Sequence, residues 1–410
     1  MYENKKTLKD LDLNNKKVIV RFDFNVPIKD GVVTDDKRIV AAIPTIKYLF
    51  DKNCCIIGLS HLSRIKTLDD IKSNKKSLAP VAKKLQELLP NNKVIFEPSL
   101  DYSTIKQKAS QLQSGQILLL ENTRYYDVDG KNTVVKFESK NNSDLAKFWA
   151  SLADCFVNDA FGTVHRAHAS NVGIAQNIKD SCIGFLIEKE INSISQAIEN
   201  PKHPYMAILG GAKVSDKIKV ISNLLPKVDK ILICGGMAYT FLATQGYDVG
   251  KSICELEMYD FAKEILEKGK DKILLTTDAY CNNEFVDTPG KLINIQDGFK
   301  NLEGLDIGEQ TIKLFDQTLD SAKTVVWNGP CGVFEFKNYQ KGTNCLAKKL
   351  AEITTKGCYT LIGGGDSAAA IKQLGYKEED YSFISTGGGA CLSLIEGSPL
   401  PGIEAIADRR

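Results

Sequence analysis

YMAILGGAKVSDK (205–217) runs from an apolar stretch through a glycine pair into a lysine-bearing helical pattern: a strand, a tight turn and a helix. YTLIGGGDSAAA (359–370) repeats the plan, with an acid in the first helical turn. The strand portions are continuously apolar and do not alternate, which suits parallel strands covered on both faces. Working outward, further strand candidates of this kind are KVIVRF (17–22), CCIIGLS (54–60), KVIFE (93–97), QILLLEN (116–122) and DCFVND (154–159). In the second half they are KILICGG (230–236), KILLTTD (272–278), TVVWNG (324–329) and YSFIST (381–386). Helical patterns fill the intervals, among them DDKRIVAAIPTIKYLF (35–50), with Asp35 or Asp36 as cap, and SDLAKFWASLA (143–153). The fold class is α/β, one plan executed twice.

GFLIEKEINSISQAIEN (184–200) spaces Phe185, Leu186, Ile187, Ile191, Ile194 and Ile198 along one helical face and stops at Pro201 and Pro204. It divides a first domain (1–183) from a second (201–389) and is read as an interdomain helix. The division coincides with a change in residue usage. Five of the seven arginines lie between 21 and 166, and none lies between 167 and 408. Every double or triple glycine falls after residue 200: 210–211, 235–236, 363–365 and 387–389. Arginine grips carboxylate and phosphate with a planar fork of donors. Glycine clusters let backbone N–H groups approach phosphate oxygens. The first half therefore reads as a site for a small, multiply charged anion and the second as a nucleotide site.

At 410 residues the chain is long enough for two cores, and its 43% hydrophobic and 25% charged content is ordinary for a globular protein. A net charge of +2 without a basic run argues against nucleic acid as partner. No apolar stretch approaches 18 residues and no targeting segment is recognisable, so neither a membrane nor export is expected. Eleven cysteines, an odd count without C-x-x-C spacing, are read as buried small hydrophobes in a reducing cytoplasm.

In GGAKVSDK (210–217), Lys213 and Lys217 stand at i and i+4, where two ammoniums on one helical face would hold phosphates at a positive helix N-terminus; the simpler reading is a turn with two solvated lysines. In GGGDSAAA (363–370), Asp366 is a candidate for Mg²⁺ on nucleotide phosphates and Ser367 for a phosphate donor, unless either merely caps the helix. STGGGA (385–390) supplies a third glycine turn. GYDVGKS (246–252) is one residue short of a P-loop and follows a helical pattern, and no G-x-G-x-x-G occurs. Arg38, Arg64, Arg124 and Arg166 follow strand candidates with Asp23, Asn25 and His61 beside them. Arg21, inside a strand, is the weakest candidate because an internal ion pair would explain it. HRAH (165–168) fits anion binding better than a metal site.

VRFDFNVP, HLSR, LLLENTR, DAFGTVHRAH, GGAKVSDK, CGGMAYTF, GLDIG, WNGPCGVFE, GGGDSAAA and STGGGA, in that order along nearly the whole chain, together resemble the phosphoglycerate kinase family. The resemblance implies two Rossmann-like domains with parallel sheets flanked by helices, and a C-terminal segment (390–410) returning to the first. It implies reversible phosphoryl transfer between 1,3-bisphosphoglycerate and MgADP, giving 3-phosphoglycerate and MgATP, by a cytoplasmic monomer whose two domains close on each other. By motif, Asp23, Asn25, Arg38, His61, Arg64, Arg124 and Arg166 match the phosphoglycerate ligands. Lys213 and Lys217 match the phosphate-binding lysines, Gly235, Gly236, Gly304 and Leu305 the adenine slot, and Glu335 the ribose partner. Asn328, Gly364, Gly365, Asp366 and Ser367 complete the nucleotide side, with Asp366 as the Mg²⁺ ligand. Arg38, Lys213, Gly365 and Gly388 are implied to act on the moving phosphoryl group. The chain departs from the family at Ser63 (Gly), Ile65 (Pro), Glu309 (Pro) and Cys331 (Met). Residues 125–142 look longer than the family's loop and carry no assigned role. A non-catalytic nucleotide-binding protein on the same fold is the alternative.

Overall fold

Lys17–Phe22 is buried from Val18 to Phe22 and lies inside a six-stranded, all-parallel sheet, as its unbroken apolar character requires. Across this sheet the strands run Lys93–Glu97, Gln116–Leu120, Cys55–Leu59, Lys17–Phe22, Cys155–Asp159 and Ser181–Ile183. Val18 pairs with Ile56 on one side and Cys155 on the other. The order reverses between Lys17–Phe22 and Cys155–Asp159, where the connections leave in opposite directions. Ligands of open α/β sheets bind beyond the carboxyl ends of strands at such a point.

A second parallel sheet repeats the logic, in the order Ile273–Leu274, Lys230–Ile233, Tyr205–Leu209, Thr324–Asn328, Tyr359–Gly363 and Phe383–Ile384. Its reversal lies between Tyr205–Leu209 and Thr324–Asn328, whose ends carry Gly210 and Gly329. The structure is a computed structural model and describes residues 1–409; Arg410 lies outside them.

One strand expectation needs correction. The run 272–278 is not one strand: Ile273–Leu274 is a short edge, and Asp278–Asn282 leaves to form a three-stranded antiparallel sheet with Lys291–Asn294 and Glu303–Ile307. Asp278 enforces the departure, because its carboxylate accepts Gln310 N–H and Thr311 N–H, at 2.9 and 2.8 Å, at the start of helix Glu309–Leu319. The interdomain helix is Phe185–Ile198, and the division into two units falls within it, after Asn192. Residues from Pro399 onward group with the first unit. Helix Gly388–Ile395 stays with the second unit, where Asn223 Nδ2 donates to Ile395 O at 2.6 Å.

Each helix start has its own chemistry. In Lys37–Asp51, Asp36 occupies the cap position without a side-chain bond to the helix amides, and Asp35 Oδ1 accepts Lys37 N–H at 3.1 Å. At Phe185–Ile198 the cap comes from afar: Asp159 Oδ1, at the end of its strand, accepts Leu186 N–H at 2.9 Å, and Thr45 Oγ accepts Phe185 N–H at 3.0 Å. A Cβ on Gly184 would stand 2.3 Å from the Asp159 carboxyl, so the close approach demands glycine there. Leu400, Ile403 and Ile406 of the returning segment are buried, and Lys5 Nζ donates to Glu404 O and Ile406 O at 2.7 and 2.9 Å. All eleven cysteines are free thiols and nine of them are buried.

Candidate active site

The first unit gathers its expected residues beyond the carboxyl ends of four strands. Asp23, after Lys17–Phe22, takes Arg38 Nη1 on both oxygens at 3.0 and 2.9 Å, a pair only 6% exposed on the Asp side. Arg38 sits in the first turn of its helix, so the helix start and the strand end are locked together. Asn25 Oδ1 accepts Ser63 N–H at 2.8 Å, and Ser63 O accepts Arg124 Nη1 at 3.1 Å. Ser63 has φ of +58°, a left-handed conformation that suits the family's glycine and strains serine. The loop keeps this geometry because both of its backbone groups are bonded. Ile65, where the family has proline, is buried in a small cluster with Tyr125 and Val128. The long segment after Arg124 thus packs against the His61–Arg64 loop.

Arg64 and Arg166 are exposed, while Arg124 is partly buried. Burial, followed by the charge of Arg166, depresses the Arg124 guanidinium, and Arg64 adds to the repulsion against the pull of Asp127 and Glu138. His61 is held well below the usual imidazole range by burial and then by Arg21; His168 is pushed to about 3 for the same two leading reasons. Arg124 Nε, His165 Nδ1 and His168 Nδ1 are buried without a hydrogen-bond partner. Guanidiniums confined together beside buried, unsatisfied nitrogens are the chemistry an anion site calls for. The sequence reading took HRAH (165–168) for anion binding but named only Arg166 within it as a ligand. The signal for His165 and His168 was present, since both flank Arg166. Arg21, the weakest candidate of the sequence reading, is fully buried.

In the second unit the glycine turns pack on one another. Gly210 N–H donates to Asn328 O at 3.0 Å and Gly235 N–H to Cys331 O at 3.0 Å. A Cβ on Gly210 would lie 2.1 Å from Pro330 O, and one on Gly388 3.1 Å from Gly365 N. Gly365 and Gly388, distant in sequence, are therefore neighbours. Asn328 Nδ2 donates to Gly363 O at 3.0 Å, and its Oδ1 accepts Lys217 Nζ. Gly235, Gly236, Gly304, Leu305, Glu335 and Asp366 all line one cavity of about 310 Å³. Tyr239, Ile253 and Phe285 add its aromatic and apolar wall; the sequence reading named none of them, although Tyr239 stands within the quoted CGGMAYTF. A Cβ on Gly304 would meet Tyr239 OH at 2.0 Å.

Two motif readings change. Lys213 and Lys217 do not share a helical face: Lys213 precedes the 3₁₀ turn Ser215–Lys217, and the α-helix begins only at Ile218. At that turn Val214 N–H and Ser215 N–H are taken by Glu255 Oε2 at 2.6 and 3.1 Å. Burial depresses the Lys217 ammonium, opposed by Asp216 and Asp366. In GGGDSAAA neither polar residue caps the helix: Gly364, at φ +95°, holds the cap position. Ser367 is fully buried and its Oγ accepts Gly329 N–H at 2.8 Å, so it braces the neighbouring turn. Asp366 remains exposed on the wall of the cavity. An exposed carboxylate suits Mg²⁺, which takes one or two protein oxygens and fills its shell with phosphates and water. Among the described residues, no group of three or more metal-ligating side chains occurs.

Comparison with known proteins gives one consistent result. A family model described as phosphoglycerate kinase matches residues 8–398. Phosphoglycerate kinases from Enterococcus faecalis and Spiroplasma citri are 54% and 53% identical, each over 99% of this chain and 100% of its own length. The solved phosphoglycerate kinase structure from Coxiella burnetii superposes with a TM-score of 0.84 at 38% identity, covering 98% of both chains. That from Pyrococcus horikoshii gives 0.78 at 30% identity, covering 97% of this chain and 98% of its own.

Proposed function

The chain belongs to the phosphoglycerate kinase family, and from that premise we propose how its residues divide the reaction between them. The reaction is reversible transfer of a phosphoryl group between the acyl phosphate of 1,3-bisphosphoglycerate and MgADP, giving 3-phosphoglycerate and MgATP. The acceptor carboxylate is already ionised at neutral pH, so no general base is required. What the protein must supply is alignment and charge stabilisation.

The arginine side binds the phosphoglycerate. Arg64, Arg124 and Arg166 take its phosphate, with Asp23 and Asn25 turned to its hydroxyl and carboxylate and His61 donating beside them. Arg38, oriented by its two contacts to Asp23, stabilises the phosphoryl group in flight. The observation that supports this assignment is the set of buried, unpartnered nitrogens on Arg124, His165 and His168 among these guanidiniums.

The glycine side binds the nucleotide. Gly235, Gly236, Gly304 and Leu305 flank the base, Glu335 meets the ribose, and Lys213 and Lys217 reach the phosphates. Asn328, Gly364 and Gly365 shape the phosphate edge, Ser367 supports it from beneath, and Gly388 closes it against Gly365. Asp366 would hold the Mg²⁺ that neutralises phosphate charge. Eleven free thiols support a reducing, cytoplasmic setting, and the modest net charge supports small molecules, without nucleic acid, as partners of a monomer. A non-catalytic role finds no support, since Arg38, Lys213 and Asp366 are all present. A coupled assay for ATP formed from 1,3-bisphosphoglycerate and MgADP tests the reading: activity is expected, and its absence from folded protein overturns it.

A further inference from the structure

The segment 125–142 contains one fully buried acid, Glu138. The segment is pinned by Asp127, whose carboxylate accepts Ser139 N–H at 2.9 Å and also the Ser139 hydroxyl. Glu138 Oε2 accepts Ser170 N–H at 3.0 Å, Oε1 accepts the Ser170 hydroxyl, and the Glu138 backbone carbonyl accepts Ala169 N–H at 2.9 Å. Ser170 Oγ in turn accepts Arg21 Nε at 2.9 Å. Arg21 is itself fully buried, and of the acids acting on it Glu138 acts most strongly, ahead of Asp23. The guanidinium donates through Nη1 to Phe22 O, and its Nη2 lies 3.1 Å from His61 Nδ1. A guanidinium has no acceptor, so Nδ1 of His61 must be the accepting, unprotonated nitrogen. The neutral ring then carries its hydrogen on Nε2.

We propose that Glu138 is a positioning residue for the phosphoglycerate site: through Ser170 it anchors the buried Arg21, and Arg21 fixes His61 as an oriented, neutral Nε2–H donor. The inference rests on the reading of His61 as a phosphoglycerate ligand. Each link is needed for the next. Without the carboxylate, Arg21 is a buried cation whose nearest remaining acid is Asp23, already engaged by Arg38. Without Arg21, the His61 ring has no donor to choose between its tautomers. The long segment thereby gains a function that its distance in sequence from His61 conceals.

Ring-nitrogen NMR of ¹⁵N-histidine-labelled wild type is the direct test, with His61 assigned by comparison with His61→Ala. An unprotonated Nδ1 and protonated Nε2 are expected; a protonated Nδ1 overturns the proposal. Glu138→Gln and Ser170→Ala should then shift the His61 signals towards a tautomer mixture and weaken 3-phosphoglycerate binding by roughly tenfold, the scale of losing an outer partner of a binding group. Calorimetry with MgADP should give a dissociation constant unchanged within about twofold, as for an independent site. Lower thermal stability with unchanged His61 signals and unchanged 3-phosphoglycerate affinity would make Glu138 a structural counter-ion only, and the proposal would fail. Should Glu138→Gln not fold, Ser170→Ala keeps the carboxylate and carries the same comparison. His61→Ala separates the two readings: wild-type 3-phosphoglycerate affinity in that variant sinks the substrate-site assignment itself, whereas weak binding there combined with full affinity in Glu138→Gln sinks only the positioning role.

Discussion

In the proposed reading the first unit meets its ligand with long charged side chains, whereas the second brings five glycines, at 211, 235, 236, 304 and 332, into the wall of its cavity. Both place their polar groups at the reversal of a six-stranded parallel sheet. The difference lies in what each must hold still. Guanidiniums are mobile and repel one another, so the first unit fixes them with partners: Asp23 on Arg38, Ser63 O on Arg124, Ser170 on Arg21. Glycine turns need no such anchors, because their precision comes from backbone packed on backbone, as between Gly210 and Pro330. Adding an atom should therefore harm the second unit, whereas removing a charge should harm the first.

The largest effect is expected at Arg38. Arg38→Ala should lower kcat by roughly two to three orders of magnitude in steady-state assays, the scale of a lost transition-state charge. A near-wild-type kcat would break the contrast, since the first unit would then act by shape.

A pH effect comes next. Burial raises the Asp159 carboxyl to about 7, against bonds from Thr45, Leu186 and Ile187 that lower it. The folded chain thus holds this proton more tightly than the unfolded chain, whose carboxyl titrates near 4. Its stabilising contribution is complete below pH 4 and is lost as pH rises through 7. Asp159→Asn keeps the cap acceptor and has no proton to lose. Its stability relative to wild type should rise between pH 4 and 7 by on the order of 3 kcal/mol in denaturant titrations. Asp306, raised to about 7 by the same burial in the second unit, is the matched control: Asp306→Asn should show the same sign.

Gly304→Ala should weaken MgADP binding by about thirtyfold through the clash with Tyr239, with 3-phosphoglycerate binding spared. Equal loss of both ligands in calorimetry would mean that the units are not independent. For Asp366→Asn, a drop of roughly tenfold in MgADP affinity is expected, the scale of one charge-assisted contact. Unchanged affinity would remove Asp366 as the Mg²⁺ ligand. The smallest change is a gain. Ser63→Gly relieves the left-handed strain and should stabilise the protein by about 0.5–1 kcal/mol, visible as a raised Tm. A lower Tm would show that the serine side chain has a role beyond its backbone position.

Much of this was legible in the chain. Uninterrupted apolar runs located most of the parallel strands to within three residues, and Lys17–Phe22 and Lys93–Glu97 match their runs fully, whereas Ser181–Ile183 was not read. The helix at Phe185–Ile198 was visible in its isoleucine spacing. What failed had a common cause, a long-range polar contact that no local pattern encodes. Asp278 bends 272–278 away from its sheet by bonding Thr311. Glu255 takes the amides of Val214 and Ser215 from forty residues along the chain, which is why Lys213 and Lys217 were misplaced on one helix face. Glu138 stood in a segment unusual only for its length. Gly365 and Gly388 could be named from their motifs, but not that they touch.

The returning segment has a consequence for synthesis. The second unit is continuous from Ser193 to Ser398, so all of its strands are on hand once that stretch has left the ribosome. The first unit begins to emerge earlier yet stays unfinished, because Leu400, Ile403 and Ile406 fill its interior and Asn158 donates to Gly402 O at 2.9 Å. The part of the nascent chain made first is thus the part completed last, and through most of translation it exposes an apolar seam to chaperones and to neighbouring chains.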